Sequence, residues 1–480
     1  MELTRASLPA AKRPRVDRPA AGIVHLGLGA FFRAHQAVFT EDAIAEGGGD
    51  WGIVGVAPRS RAVVDALTAQ DLLYSVTTLG PEGTSTRVIG ALAGACRAAA
   101  DPGAVVALLA DPAIRVVTLT VTEKAYRLDP ATGRLLLDDD LRADLETDRP
   151  PRTVPGLLIR GLAARERAGA GPIALVSCDN LPSNGHRLRG LVHHLAAATA
   201  TADWVGANVT FPGTMVDRIV PASTPETLAL AERALGVRDE AAVCGEPYLQ
   251  WVIEDDFPGG RPAWDLAGAV MTDDARPWER LKLRALNGVH SAIAYLGALA
   301  GRETIAEALR IPGMLPAMRH LVADDIAPCL SPPPGVDTLA YGDEVLTRFE
   351  NPAMGHRTIQ VAMDGSQKLP QRVLHTIDDC RAAGVTPHWA ALVVAAWMRF
   401  VQGTADDGSA LPLDDPLADR IRARLAAAPS TPEGVVDAML GLDTVFSADL
   451  AADAGLRAEI VTWLTALTKH GVEDTLAGVR

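Results

Sequence analysis

The stretch AGIVHLGLGAFFRAH, residues 21–35, decides the fold of the N-terminal half of this chain. Its apolar run ends in glycines, which predicts a buried strand, and the residues that follow open a helical pattern. Gly27 would permit a tight turn between the two, and Gly29 would let the backbone approach a pyrophosphate at the helix N-terminus. An ordinary strand–helix turn explains the same residues equally well.

The side chains of this turn depart from the usual dinucleotide fingerprint. Its third position is Phe32 rather than glycine. We expect Phe31 and Arg33 to lie beside a bound cofactor, where Arg33 would add a charge-assisted contact to phosphate. The alternative for Arg33 is a solvated helix residue.

Further strands follow at a spacing typical of βαβ units. WGIVGVA (51–57), IRVVTLTVTEKAY (114–126) and GPIALVSCDN (171–180) are β-rich runs, and residues 32–47 show a helical pattern between the first two strands. Strands that alternate with helices predict an α/β fold with a parallel sheet. From Arg276 onward, helical patterns rich in Ala and Leu dominate. The sequence therefore predicts a dinucleotide-binding domain over 1–273 and a mainly α-helical substrate and catalytic domain over 274–480.

Composition excludes several classes of partner. The net charge of −14 argues against a nucleic-acid partner or an anionic membrane surface, since both need a basic surface. The five cysteines form no CxxC pair, which is typical of a reducing compartment. The apolar run at 390–398 is too short to cross a bilayer, and no signal peptide precedes the first strand. We expect a cytoplasmic protein that acts as a monomer on a small molecule.

The end of the second strand bears on the choice of cofactor. A site that prefers NAD usually carries an acid there, to hold the ribose 2′-hydroxyl. In this sequence the strand runs into APRSRAV (57–63), and no acid comes before Asp65. Arg59 and Arg61 could hold a 2′-phosphate, which would mean NADP. Two solvated loop arginines are the equally good alternative.

Other polar residues stand where strands end. Asn180 follows a strand in VSCDN, Glu123 follows another in VTEKAY, and Asp217 lies among apolar neighbours beside Arg218. The carboxyl ends of parallel strands are where open sheets bind ligands. Any one of these residues alone would more often be structural. The histidine and cysteine spacing shows no metal-binding motif, so we predict no metal.

The stretch LKLRALNGVHSAIAYLG (281–297) places Lys282, Asn287 and His290 within a mostly apolar helical pattern. A buried polar group destabilises a fold unless it is paired, so these three residues are either satisfied structurally or face a cavity. In a regular α-helix they would fall within about 140° of arc, which is one face.

At nearly full length the sequence resembles the mannitol dehydrogenase family of polyol-specific long-chain dehydrogenases. The motifs that carry the resemblance are GLGAFFRAHQA, TLTVTEKAY, SCDNLPSNG, TFPGTMVDRIVP, WVIEDDFPGGRPAW, KLRALNGVHS and MDGSQKLPQR. It implies a Rossmann-type N-terminal domain, a mainly helical C-terminal domain, and metal-independent hydride exchange between NAD or NADP and a linear polyol or keto-sugar.

The resemblance also implies roles for the polar residues. Lys282 would be the general base, because burial favours the neutral amine. The amides of Asn287 and Asn180 would donate to the developing alkoxide. His290 would orient a substrate hydroxyl, and Asp217 would bind another. Glu123 would relay the proton to solvent through water.

Substrate choice depends on the segment GHRTIQVAMDGSQKLPQR (355–372), which contains His356, Arg357, Lys368 and Arg372. Cations suit a sugar-acid carboxylate, and this segment is more similar to fructuronate reductases than to mannitol 2-dehydrogenases. The expected reaction is D-fructuronate to D-mannonate, with mannitol and fructose as the alternative pair. Surface ion pairs unrelated to substrate would also explain the arginines. A catalytically silent nucleotide-binding sensor on the same fold is the alternative from another class.

Overall fold

A computed structural model describes residues 1–129 and 134–480. The chain divides into two compact units, Met1–Arg276 and Pro277–Arg480. The roles predicted for 1–273 and 274–480 stay predictions. No helix in the described ranges is long and apolar enough to cross a membrane.

The first unit contains a parallel sheet and two small sheets. Its strands are β1 (Ala21–Leu26), β2 (Gly52–Ala57), β3 (Tyr74–Gly80), β4 (Gly83–Ile89), β5 (Leu92–Arg97), β6 (Val116–Leu119), β7 (Ile173–Ser177), β8 (Val209–Thr210), β9 (Thr214–Asp217), β10 (Val243–Gly245), β11 (Gln250–Glu254) and β12 (Val270–Thr272). The six-stranded sheet has the order β5-β2-β1-β6-β7-β8, and the small sheets have the orders β10-β3-β4 and β12-β11-β9.

Every pairing in the six-stranded sheet is parallel. The chain starts at a central strand, moves outward on one side and then crosses to the other side of β1, which is the strand order of a Rossmann-type sheet. Alternate residues of β1 enter two separate cores, Ile23 on one face and Val24 on the other. A sheet covered on both faces explains why its strands read as continuous apolar runs.

Helices flank these strands and form most of the second unit. In the first unit they are α1 (Ala30–Ala34), α2 (Gln36–Gly47), α3 (Ala62–Ala69), α4 (Pro102–Ala110), α5 (Asp139–Glu146), α6 (Val154–Ala168), α7 (Asn184–Ala197), α8 (Ala202–Asn208) and α9 (Pro225–Leu235). Those that follow are α10 (Arg276–Leu281), α11 (Val289–Leu299), α12 (Ile305–Ala308), α13 (Met314–His320), α14 (Thr338–Phe349), α15 (Thr358–Ala362), α16 (Gly365–Leu369), α17 (His375–Ala382), α18 (His388–Phe400), α19 (Ala418–Ala427), α20 (Pro432–Leu440), α21 (Ala448–Ala451) and α22 (Ala454–Leu476).

Two predicted elements are shorter than the sequence pattern indicated. The helix predicted over 32–47 is interrupted at His35, whose φ of −128° and ψ of −87° are not helical. The strand predicted over 114–126 ends at Leu119, and Thr122 beyond it has a φ of 72°. A positive φ is uncommon for a β-branched residue and ends regular pairing. Apolar patterning reports burial, so it does not detect either break.

The second unit contains three π-helical segments, Lys282–Gly288, Leu321–Ile326 and Pro370–Leu374. The first of them replaces the first part of the regular α-helix that the sequence predicted over 281–297, and α11 forms the rest. A π-helix hydrogen-bonds residue i to residue i+5, so its turn is wider than that of an α-helix. Such segments are rare, and they often occur at functional sites.

Candidate functional site

The first glycine of the turn after β1 is required by its backbone conformation and by a close contact within the protein. Gly27 has a φ of 111°, and a Cβ there would lie 2.0 Å from the carbonyl oxygen of Thr120. Gly29 differs, because a Cβ there would meet only the Gly27 oxygen, at 3.8 Å. Gly29 is exposed. Open space therefore stands over Gly29, the position predicted to face a pyrophosphate.

A buried histidine explains the phenylalanine in the fingerprint. The rings of His25 and Phe32 stack with centroids 3.6 Å apart. His25 Nε2 donates to the Gly27 carbonyl at 3.0 Å, so its Nδ1, 2.7 Å from Thr118 Oγ1, accepts from that hydroxyl. Burial lowers the pKa of His25 to about 3. His25 is therefore neutral and ties β1 to the turn, and the sequence analysis did not identify it.

Arg33 is buried rather than solvated. Its Nε donates to the Gly29 carbonyl at 3.3 Å, its Nη1 donates to the Ala241 carbonyl, and its guanidinium lies 5.9 Å from the centre of the Tyr74 ring. Phe31 is half-buried and its ring stacks on that of His35 at 5.0 Å. Contacts of Phe31 and Arg33 with a cofactor stay predictions.

A cavity of about 1300 Å³ opens in the first unit at the carboxyl ends of the central strands. Its lining includes Leu26 at the end of β1, Val56 near the end of β2, Val121 beyond β6, and Arg59. Arg61 is exposed, and its Nε lies 2.8 Å from Asp65 Oδ2. Two arginines were predicted to hold a 2′-phosphate. Arg59 lines the cavity, whereas Arg61 does not line it and pairs with Asp65 instead.

The loop after β6 is held by Asp179, which ends the neighbouring strand. The Asp179 carboxylate accepts from the backbone N–H groups of Val121 at 3.1 Å and Thr122 at 2.9 Å, and from the hydroxyl of Tyr126 at 2.7 Å. Burial raises the pKa of Asp179. This carboxylate brings together the two loops that carry the exposed residues Glu123 and Asn180.

Asp179 is a structural support that the sequence analysis did not select. The signal was its position directly before Asn180, at the end of a buried strand. Asp217 is buried, as predicted, and pairs in register with Gln250 at the end of β9. Its neighbour Arg218 donates to the carbonyl of Glu246 at 2.9 and 3.0 Å. The catalytic and binding roles of Asn180, Glu123 and Asp217 stay predictions.

The π-helical segment changes how Lys282 and Asn287 are related. Asn287 is five positions after Lys282 in the chain. A π-helix hydrogen-bonds residue i to residue i+5, so the two side chains lie about one turn apart on the same face. A regular α-helix would set them about 140° apart. Both side chains are buried. The sequence analysis predicted a shared face, and the structure forms it by the wider turn.

His290 follows one turn later, near the start of α11. Its ring stacks on Phe349 at 4.4 Å and on His356 at 5.6 Å. Burial, followed by the neighbouring charge of His356 and that of Arg372, holds the pKa of His290 well below its usual range. The imidazole is therefore neutral near pH 7. In the described part of the chain, His290 Nε2 and Asn287 Oδ1 are buried and have no hydrogen-bond partner.

A group of cations lies around His290. Lys368, Arg372 and Arg348 each act on its pKa, and the sequence analysis did not select Arg348. Arg348 lies next to Phe349 at the end of α14, a position with no motif to identify it. Arg357, which was predicted to bind substrate, is exposed, and its Nη2 lies 3.3 Å from Glu303 Oε1. Its predicted contact with substrate stays a prediction.

Arg372 is the member of this group that lacks an anionic partner. Its Nη1 donates to Ser291 Oγ at 3.0 Å, and no carboxylate in the described ranges forms an ion pair with it. Burial lowers its pKa. A Cβ on Gly288 would lie 2.7 Å from the backbone oxygen of Arg372, so the π-helical segments that carry Asn287 and Arg372 pack closely there. A desolvated guanidinium without an anion is costly, which is typical of a ligand site.

Metal ligands are not grouped in the part of the chain that the structure describes, since no cluster of three His, Cys, Asp or Glu side chains could hold an ion there. The prediction that the reaction needs no metal is not tested by this.

Comparisons with family profiles and known proteins match both units of the chain. The mannitol dehydrogenase Rossmann domain profile matches residues 21–266, and the mannitol dehydrogenase C-terminal domain profile matches residues 274–468. D-mannonate oxidoreductase of Escherichia coli strain K12 is 41% identical and covers 99% of each chain. Mannitol 2-dehydrogenase of Cereibacter sphaeroides is 38% identical over 97% of this chain and 98% of its own.

The solved structure of Pseudomonas fluorescens mannitol 2-dehydrogenase, a ternary complex with NAD and D-mannitol, is 34% identical. It superposes with a TM-score of 0.85 and covers 99% of each chain. The resemblance and the fold class predicted from sequence are confirmed. The chain belongs to the mannitol dehydrogenase family, oxidoreductases of polyols and sugar acids.

Proposed function

We propose that this chain uses a nicotinamide dinucleotide to interconvert D-mannonate and D-fructuronate. The observation that carries the choice of a sugar acid is Arg372, a guanidinium beside His290 that has no carboxylate partner in the described ranges. A substrate carboxylate would supply the missing anion in a bidentate, charge-assisted contact.

The cofactor fits the first unit on two observations. The backbone at Gly29 is open, so no side chain of that residue obstructs a phosphate, and the cavity of the first unit lies at the strand ends where open parallel sheets take nucleotides. Gly27, Gly29 and Arg59 would hold the cofactor, together with Phe31 as predicted. The bound cofactor would supply the hydride exchange with the substrate carbon.

The residues of the chain supply the proton chemistry. Lys282 takes the proton of the secondary hydroxyl during oxidation and returns it during reduction. Asn287 donates to the alkoxide oxygen through its side-chain N–H groups, and Asn180 is proposed to do the same. The neutral imidazole of His290 orients a neighbouring substrate hydroxyl, which suits a ring whose Nε2 has no partner among the residues that the structure describes.

The roles that we propose for Glu123 and Asp217 are those that the family resemblance implies. Glu123 is exposed and would pass the proton of Lys282 to solvent through water. Asp217 would accept a hydrogen bond from a further substrate hydroxyl. Metal independence, a monomeric state and a cytoplasmic location stay predictions.

Several cations support an acidic substrate over a neutral one. Lys368 Nζ donates to the carbonyls of Met363 and Val361, so its ammonium is oriented by neutral groups, and the carboxylate of Asp364 lies farther away at 3.9 Å. Burial lowers the pKa of Lys368. A neutral hexitol would leave the charge of Arg372 without an anion and would leave Lys368 only this long contact with Asp364. Mannitol/fructose is the second candidate, favoured by relatives named mannitol 2-dehydrogenase.

The test compares mannonate with mannitol in the wild type and in two arginine variants. We expect activity on mannonate, and we expect Arg372→Ala to lower kcat/KM for mannonate roughly 10- to 100-fold, because a hydrogen bond to a charged group is lost. Arg357→Ala is the matched control, since its guanidinium is exposed and already paired with Glu303. Thermal unfolding of both variants verifies that they fold.

Efficient oxidation of mannitol with no activity on mannonate would overturn the substrate choice and leave the family unaffected. A protein that binds the dinucleotide but turns over neither substrate nor any other polyol would instead be the silent sensor.

A further inference from the structure

The cavity of the first unit has a strongly cationic lining. Five lining side chains within the described residues are basic, and one, Asp140, is a carboxylate. The basic residues are Arg59, Lys124, Arg127, Arg149 and Arg152. Such a surface is unusual in a chain whose net charge is −14. It indicates a ligand with more than one anionic group.

Three of these cations already have carboxylate partners. Arg127 pairs with Asp138. Arg149 lies 3.2 Å from Asp140 Oδ1 and 3.3 Å from Asp144 Oδ1, and Arg152 lies 3.9 Å from Asp140 Oδ1. These pairs neutralise much of the charge on that side of the cavity.

Arg59 and Lys124 remain, and neither forms an ion pair or a side-chain hydrogen bond with any residue that the structure describes. They come from different loops, Arg59 from the loop after β2 and Lys124 from the loop after β6. Two cations without a carboxylate partner among the described residues therefore line this cavity from two strand ends.

The backbone that carries Lys124 is held in place. Asp179 accepts from the N–H of Thr122, whose φ is 72°, and from the hydroxyl of Tyr126 on the other side of Lys124. A β-branched residue keeps a positive φ only where its surroundings impose it. The position of Lys124 is therefore set by the fold, although its side chain is exposed.

Among the described residues, no acid from the end of β2 lines this cavity to favour a ribose 2′-hydroxyl. The first acid after β2 is Asp65, which is exposed and holds Arg61 outside the lining. An NAD-preferring site uses such an acid, and an arginine in its place accommodates a 2′-phosphate. The pyrophosphate, which both cofactors share, has its own place at the turn over Gly29.

We propose that Arg59 and Lys124 together bind the 2′-phosphate of the adenosine ribose, so that this chain prefers NADP to NAD. The inference rests on the proposed nicotinamide-dependent function. The sequence predicted that Arg59 acts with Arg61, whereas this proposal pairs Arg59 with Lys124. The strand order of the sheet reverses between β1 and β6, and Lys124 follows β6, on the other side of that point from Arg59. Lys124 is a specificity-determining residue and takes no part in the reaction.

The experiment measures binding of 2′,5′-ADP and 5′-AMP by calorimetry, since these probes differ only in the 2′-phosphate and need no turnover. In the wild type we expect 2′,5′-ADP to bind at least about ten times more tightly than 5′-AMP. Arg59→Ala and Lys124→Ala should each weaken 2′,5′-ADP by roughly tenfold or more, because each removes a charge-assisted hydrogen bond, and should leave 5′-AMP unchanged. Arg61→Ala, two residues from Arg59, is the matched control, and neither affinity should change.

The inference would be overturned if the wild type bound the two probes equally tightly, or if the variants lost affinity for both probes equally. In that case the two cations would contact a part of the cofactor that NAD and NADP share. A loss in Arg61→Ala as large as that in Lys124→Ala would restore the original arginine pair. Fluorescence titration with NADH and NADPH distinguishes failure of this inference from failure of the proposed function. If NADH binds more tightly than NADPH, only the preference for NADP is refuted. If neither binds, the proposed nicotinamide-dependent function is refuted as well.

Discussion

Two histidines show how differently the two units treat a buried imidazole. His25, in the first unit, has both ring nitrogens hydrogen-bonded to the residues around it. His290, in the second unit, is stacked between rings and has a buried Nε2 without a partner in the described part of the chain. Burial lowers the pKa of both. A hydrogen-bonded buried histidine supports the fold, whereas one with an unpartnered nitrogen needs a separate explanation.

Backbone geometry follows the same division. Around His25 regular strands end in short turns, and the special conformation is that of single residues such as Gly27 and Thr122. Around His290 whole turns are widened into π-helix, at Lys282–Gly288 and Pro370–Leu374. The first unit positions polar side chains at strand ends, and the second positions them by changing the period of a helix.

The largest expected effect comes from the π-helical face. We expect Lys282→Ala to lower turnover by roughly 10²–10⁴, because a general base is removed. Dinucleotide binding and the melting temperature should change little, since alanine is readily accepted in a helix. Lys469→Ala, an exposed lysine on α22, is the control and should keep wild-type turnover. Turnover of Lys282→Ala within a few-fold of wild type would show that this face is not the catalytic one.

The next effect tests the satisfied histidine. The unfolded chain protonates His25 near pH 6.5, but the folded protein does so only near pH 3, so stability is lost as pH falls between these values. At about pH 5 the loss is ~2 kcal/mol. The free energy of unfolding in urea is measured at about pH 7 and at about pH 5. The decrease between the two should be smaller in His25→Gln than in the wild type by the contribution of His25. All other titrating groups are common to both proteins and cancel. The same pH dependence in wild type and variant would contradict the assigned role.

The last effects come from two helical glycines, one in each unit. Gly288→Ala should destabilise the protein by about 1–3 kcal/mol and lower turnover, because its Cβ would press on the Arg372 backbone. Gly190→Ala, in α7, meets nothing within 4 Å and should stabilise by about 0.5–1 kcal/mol without affecting turnover. Thermal unfolding and steady-state kinetics measure both. Equal effects at the two positions would mean that the π-helical segments do not pack tightly at Gly288.

Much of the first unit could be predicted because strands and turns leave local patterns. The apolar run of β1, the glycine at 27 and the polar residues after β7 each occupy the expected place. The break at His35 and the positive φ of Thr122 left no such pattern, since both are imposed by neighbours distant in sequence. Thr122, for example, is held by Asp179, which lies 57 residues further along the chain.

The sequence by itself determined the parallel sheet, the helical second half, the family and the candidate residues Lys282, Asn287 and His290. Those features follow from periodicity and motifs, which are properties of consecutive residues. Only the tertiary structure decided that Lys282 and Asn287 share a face through a π-helical turn and that Arg61 is paired outside the cavity. It also decided that Arg357 has a carboxylate partner, whereas Arg372 has none within the described residues. The reason is that pairing, desolvation and helix period depend on which distant side chains and backbone atoms surround each residue.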